Sequence, residues 1–335
     1  MSVPTTRRRV VRLIGFAVSV VCVVALAIVL GRRPDALSAA WDSMRAAPAW
    51  ALLTLLAAPF LSWVATSLMF WLHTRRFGLV RFTEMLALIA AAAMLNFLPM
   101  RPGMVGRIAY HKRVNKITIV DSSRVVFASL VTTGAALLVL IGVGTLGSAG
   151  GVDSIAHWAL WFSAPIVVTA LLGLVIAATA VRRSRAPLAA WLWGFAGRYA
   201  DSLTWVARYL AVFEVVGAPL TVQEAVAVTV ISHGAMLTPA PIGLREWAVG
   251  MTAGWQAAQG GADLTDALAP GLIADTIVRL SEAVLGVFIG IPAIGWMSRK
   301  MARVPDATEE PEASERSRSN GGGTKHSRRR SGAGP

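Results

Sequence analysis

The chain has 335 residues, of which 55% are hydrophobic and only 15% charged, with a mean hydropathy of +0.60. Soluble domains carry about 25% charged residues, so this composition excludes an ordinary soluble domain and indicates an all-α polytopic membrane protein. The net charge of +14 sits mostly in loops and tails, where a positive-inside bias and anionic headgroups account for it; no aromatic-interleaved basic motif points to nucleic acid.

Residues 1–12 form a basic tail with Arg7, Arg8, Arg9 and Arg12. Leu13–Leu30 is free of charge and long enough to cross a hydrocarbon core of about 30 Å. Arg32 and Arg33 follow it where a signal peptide would have a small-residue cleavage site, so it reads as a retained first span. Cys22, inside that run, is the one cysteine, which leaves no disulfide framework. The five histidines show no metal-ligand spacing, so no metal or other cofactor is expected.

Pro48–Leu72 and His157–Val181 are further uncharged runs, and Ser129–Ala156 holds only Asp153. The tryptophan-rich stretch "PLAAWLWGFAGRYADSLTWVARYL", with Arg198, Asp201 and Arg208, reads as an interfacial helix leading into a span, its tryptophans serving as anchors. The last apolar stretch, Ala267–Trp296, carries Asp275, Arg279 and Glu282. Spacings of four and three put these on one helical face. Charges at that depth line a pathway or pair with one another; Asp275 and Arg279 can neutralise each other, while Glu282 calls for a further cationic partner. Residues 298–335 form a charged tail that cannot fold alone. The domain organisation is thus a tail at 1–12, a transmembrane domain at 13–297 and a disordered tail at 298–335.

Loop charges alternate along most of this path, which places both termini in the cytoplasm. Two segments break the alternation. Met85–Pro99 and Ala225–Leu237 are about 22 and about 20 Å long as helices, short for a crossing. Each ends in a Pro/Gly turn followed by arginine: "LNFLPMRPGMVGR" at 95–107 and "TPAPIGLREW" at 238–247. If the first crossed, Arg101, Arg107, Lys112, Arg113 and Lys116 would lie outside, against the rule. Re-entrant segments entering from opposite faces remove the conflict and give about six full spans plus two broken helices in a possible inverted repeat.

The candidate site residues gather at these turns and on the last span. Asn96 needs a partner for its amide in lipid, and Arg101 and Arg107 can each grip two phosphate oxygens. The turn at Pro102 and Gly103 opens a helix whose backbone N–H groups favour an anion. Pro241 and Gly243 make the second turn. Arg245 and Glu246 follow it and, being adjacent on a helix, face different partners. Glu84 is expected to cap the first short segment.

The stretch at 95–107 resembles the N-x-x-P-x-R-x-G-x-x-x-R signature of the lysylphosphatidylglycerol synthase transmembrane-region family. "TPAPIGLRE" resembles that family's P-x-P-G-G-x-G-x-x-E motif, two residues shorter and with one glycine in place of three. Arg279 falls where the family keeps an arginine in a late helix. The resemblance spans roughly residues 10–300, with no aminoacyl-transferase domain attached. It implies a flippase-like protein of the bacterial plasma membrane that moves an anionic phospholipid or polyprenyl-phosphate lipid between leaflets. It does not imply an enzyme. Rival expectations are a non-transporting scaffold of envelope lipid or glycan synthases and, less favourably, a membrane-embedded transferase, for which no nucleophile–base pair is evident. The expected partners are an envelope-biosynthesis protein or a second copy of the chain, as a homo-oligomer. No GxxxxGK[ST] motif occurs, so transport is expected to run downhill or on a gradient.

Overall fold

The computed structural model describes residues 34–98, 102–152, 154–179, 186–236, 241–261 and 263–304, with parts of 21–32. The basic tail, Arg101 and the last thirty-one residues lie outside the described residues, as does most of the first apolar run.

Every described element is helical. In chain order they are α1 (Pro34–Ala46), α2 (Ala49–Thr74), α3 (Phe82–Leu95), α4 (Pro102–Arg113), α5 (Ile119–Ala149), α6 (Ile155–Thr179), α7 (Ala186–Val215), α8 (Val222–Met236), α9 (Pro241–Gln259) and α10 (Leu264–Leu285). A π-helical turn at Gly286–Gly290 joins α10 to α11 (Ile291–Ala302). Among the described residues four helices are long and apolar enough to cross a membrane: Ala49–Thr74, Ile119–Ala149, Ala156–Ala178 and Leu268–Ala302. Their outward faces expose Phe127, Leu138, Leu160, Leu172 and Phe288. In water such contiguous apolar surface is a liability; in a bilayer it is the expected exterior.

The helix starts follow capping chemistry. At the head of α5 the Thr118 hydroxyl accepts from Asp121 N at 3.1 Å. At the head of α8, Thr221 and Glu224 form a reciprocal capping box: Glu224 Oε2 accepts from Thr221 N at 2.7 Å, and Thr221 Oγ1 from Glu224 N at 3.3 Å. Both α4 and α9 begin on a proline, whose missing N–H costs nothing at a first helical position.

The long helices α2 and α7 lie side by side, tied by a hydrogen bond from Ser62 to Asp201. Contrary to the interfacial reading, α7 is one 30-residue helix set inside the bundle. Its Tyr199, Tyr209, Val212 and Phe213 are buried and contribute to the main core. Trp205 is buried too, so it is no interfacial anchor.

Local contacts fix the levels of the broken helices. Lys300 pairs with Glu84 at 3.0 Å, while Gly286 and Gly290 both lie against Met94. α3 therefore runs antiparallel to α10–α11, and its end near Asn96 comes level with the start of the π-turn, about one helical turn from Glu282. On the other side Gly250 abuts Gly271 and Leu272, and Arg245 reaches Asp275, so the start of α9 comes level with Arg279. A Cβ on Gly271 would stand 2.8 Å from Gly250 Cα; such small-residue contacts let the two helices approach closely.

Basic residues gather at one end. Arg113 Nη2 donates to Val304 O at 3.3 Å, and Ile117 packs on Gly78. The loop after α2, the end of α4 and the end of α11 thus share that end, with Arg75, Arg76, Lys112, Lys116, Arg299 and Lys300. Glu84 lies in the first turn of α3 and joins this cluster: its carboxylate accepts from Tyr110 Oη at 2.8 Å and Asn115 Nδ2 at 3.1 Å. The expected cap is therefore replaced by a clasp: the Glu84 carboxylate ties α3 to α4 and α11, and the α3 N-cap has no side-chain hydrogen bond.

Candidate functional site

Two glycines shape the breaks. A Cβ on Gly103 would sit 2.6 Å from Ala92 Cα, so α4 can turn back against α3 only because this residue has no side chain. Gly243 holds φ +82° near the start of α9, a conformation that glycine adopts freely. Pro241 is the first residue of α9.

Beyond the second break, α9 and α10 assemble a buried ionic network with α7. Arg245 is fully buried, as is Asp275. Its Nε donates to both Asp275 oxygens at 3.1 and 2.9 Å, and its Nη2 donates to Oδ1 at 2.9 Å. The Tyr209 hydroxyl lies 2.9 Å from the same Oδ1 and 2.8 Å from Ser232 Oγ. Since the phenol has one proton and the carboxylate takes it, Ser232 donates to the phenol oxygen. Arg208 Nη2 donates to Glu282 Oε1 at 2.8 Å, and Arg279 Nε to Glu246 Oε1 at 3.1 Å. Around Glu282 Oε2, Arg245 Nη1 stands at 3.8 Å and Arg279 Nη1 at 3.9 Å. The Trp205 ring underlies two of the guanidiniums, 4.3 Å from Arg208 Cζ and 4.9 Å from Arg245 Cζ.

Three arginines thus meet three carboxylates and the network is electroneutral. It is not saturated. Arg208 Nε, Arg245 Nη1, Arg279 Nη2 and Glu246 Oε2 are buried with no hydrogen-bond partner. The least buried members are Arg279 and Glu282, 18% and 14% exposed, against 0% for Arg245 and Asp275. The network is therefore sealed at the Arg245–Asp275 end and open at the level where both helix breaks arrive.

The structure brings Arg245, Glu246, Asp275, Arg279 and Glu282 together. It corrects the expected Asp275–Arg279 pair: Asp275 goes to Arg245 and Arg279 to Glu246. A guanidinium fork from the neighbouring helix can meet a carboxylate with two parallel bonds, which a residue one turn away on the same helix cannot match. The cations that Glu282 calls for are Arg208, with Arg245 and Arg279 further off. Asn96 caps the end of α3, its backbone N–H bonded to Ala92 O at 2.9 Å, while its side-chain Oδ1 is buried without a partner. Tyr209 and Ser232 escaped sequence reading, whereas Arg208 and Trp205 read from sequence as interfacial rather than as members of a site. The available signal was the spacing of Asp201, Trp205 and Arg208, four and three residues apart, which marks one polar face on an otherwise apolar helix.

Arg107 stands elsewhere. It lies on α4 facing α2 and α5, with its Cζ 3.7 Å from the centre of the Phe70 ring. It is buried, and among the described residues it has no carboxylate and no hydrogen-bond acceptor. Burial pushes its pKa down to about 10, so it keeps its proton at neutral pH. A desolvated cation–π contact contributes about 2 kcal/mol, while taking an ion out of water costs several kcal/mol. The ring alone does not balance the charge.

Among the described residues no group of three His, Cys, Asp or Glu is placed to hold a metal. No family model, no curated protein and no solved structure matches the chain.

Proposed function

We propose that the protein is a lipid translocase that moves a phosphate-bearing lipid, a phospholipid or a polyprenyl-linked glycan, between the leaflets of a bacterial plasma membrane. The observation that carries this reading is an unsaturated ionic network within a helical bundle, open at the level of two helix breaks. Charges are costly inside a membrane and mark pathways, and broken helices tolerate their unpaired backbone only where they line a cavity. At the open end Arg279 offers an anionic headgroup guanidinium N–H groups that Glu282 now faces from 3.9 Å, with the unpartnered Nη1 of the sealed Arg245 behind it. Phosphate would displace that carboxylate and leave the sealed Arg245–Asp275 pair intact.

In this reading there are six spans: the run at 13–30, α2, α5, α6, α7 and the α10–α11 helix, with α3/α4 and α8/α9 re-entrant from opposite faces. An inverted repeat is supported by element order, since a long helix, a broken pair and a long helix occur twice. It is also supported by reciprocal packing: α3 lies on the π-turn and α11, while α8 lies on α5. Such repeats place their sites at the midplane, between discontinuous helices.

Leaflet-resolved lipid assays in proteoliposomes test this. Wild-type protein is expected to equilibrate phospholipid between leaflets faster than protein-free vesicles do. Arg279→Gln should slow it about ten- to hundred-fold, the equivalent of one charged hydrogen bond of about 1.5–3 kcal/mol. A scaffold would move no lipid, and a transferase would change the lipid's mass; either result overturns the proposal.

A further inference from the structure

A small cavity opens between α2, α4 and α5, and none of its lining residues belongs to the ionic network. Its inner wall is Phe70, Thr74, Arg107, His111, Ser122 and Val125. Arg198, Arg208, Arg245 and Arg279 each reach a carboxylate; Arg107, also buried, reaches none among the described residues. Across from it on α5, the Ser122 hydroxyl is buried and likewise without a partner. Two unanswered donors from different helices therefore line one space.

The other lining groups add no anion. Asn115 Nδ2 donates to Glu84, so Asn115 Oδ1 is free to accept from His111 Nδ1–H across 3.0 Å. Burial is the largest influence on His111 and lowers its pKa, which keeps the ring neutral. The wall thus carries a single positive charge. The cavity measures about 10 Å³, close to the minimum of about 10–15 Å³ that holds one water. It has room for one oxygen-sized group and no more. Ile108 and Val126, its half-buried wall, leave it open toward the bundle surface.

We propose that this cavity is an anion site that receives one charged oxygen of a phosphate group, with Arg107 and Ser122 donating to it and the rest of the ligand resting at the mouth between α4 and α5. The single charge matches a phosphodiester monoanion. Its source is either a lipid headgroup in the leaflet around the mouth or free phosphate from solution. The site stands apart from the translocation network, and its occupancy is an equilibrium property that needs no flux.

The test uses the full chain. In a neutral detergent, inorganic phosphate is titrated against thermal unfolding. In nanodiscs of phosphatidylcholine with or without phosphatidylglycerol, retained lipid is read by native mass spectrometry after gentle release. For the wild type, phosphate is expected to raise the melting temperature or phosphatidylglycerol to be retained. Arg107→Gln should weaken that binding at least tenfold, and Ser122→Ala, which removes only a hydroxyl, about three- to tenfold. Lys112→Gln, an exposed charge on the same helix, should leave it unchanged. A response to phosphate in detergent identifies a free-anion site; retention of phosphatidylglycerol with no phosphate response identifies a lipid clasp. Equal binding by wild type and Ser122→Ala, or no binding of either probe by the wild type, overturns the proposal. Wild-type protein that binds phosphate here yet moves no lipid sinks the translocase reading and leaves this one standing.

Discussion

The six charges of the network are tolerable in a helix bundle because they pair, and the pairing pattern predicts what happens when one partner is lost. Arg245 and Asp275 are both fully buried. Removing one leaves an uncompensated charge at a cost of about 3–5 kcal/mol, whereas replacing both with apolar residues of similar size is often near neutral. Asp275→Leu is therefore expected to lower the unfolding temperature sharply, and Arg245→Met with Asp275→Leu to recover most of the loss. A double variant no more stable than the single would show that Glu282, and not Asp275 alone, holds Arg245. Part of this was legible: the face shared by Asp275, Arg279 and Glu282 follows from spacing, as does the divergence of the adjacent Arg245 and Glu246. The choice of partners was not, because it depends on which guanidinium comes within reach across α7, α9 and α10, and helical periodicity says nothing about neighbours.

At the level of elements, the two glycines of α4 make opposite predictions from similar sequence surroundings. A side chain on Gly103 would run into the backbone of Ala92 on α3, and backbone cannot rotate aside. Gly103→Ala should cost about 1–3 kcal/mol, the usual range for overpacking. Gly106, three residues on, has nothing within 4 Å of a would-be Cβ, so Gly106→Ala should gain about 0.5–1 kcal/mol by relieving the entropy of a helical glycine. Denaturation midpoints in detergent decide it; a tolerated Gly103→Ala would mean that α4 does not press on α3. The breaks themselves were readable because proline and glycine act locally. Helix α7 was misread because its charges suggested water, when Asp201, Arg208 and Trp205 are satisfied by α2, α9 and α10. Composition reports polarity but not who answers it.

For the whole molecule, the asymmetry of charge between the two ends makes orientation testable. The loop after α2, the end of α4 and the end of α11 meet at one end and bring Arg75, Arg76, Lys112, Arg113, Arg299 and Lys300 there together. The connection from α9 to α10 lies at the other end, where Gln259 is exposed and Asp263 is the nearest described charge. Because α3 and α4 leave and return at the basic end, Lys112 sits with the lysines and arginines although a 14-residue apolar helix precedes it. On the positive-inside rule the basic end is expected to face the cytoplasm. In a Cys22→Ser background, a cysteine placed at Lys112 should react with a membrane-impermeant thiol reagent only after the cells are opened, and one at Gln259 in intact cells. Labelling of both from the same side would make α3/α4 a full crossing and remove the opposed entry of the two broken helices. Reversed labelling would keep the fold and invert its orientation, with the Arg107 cavity then opening toward the outer leaflet.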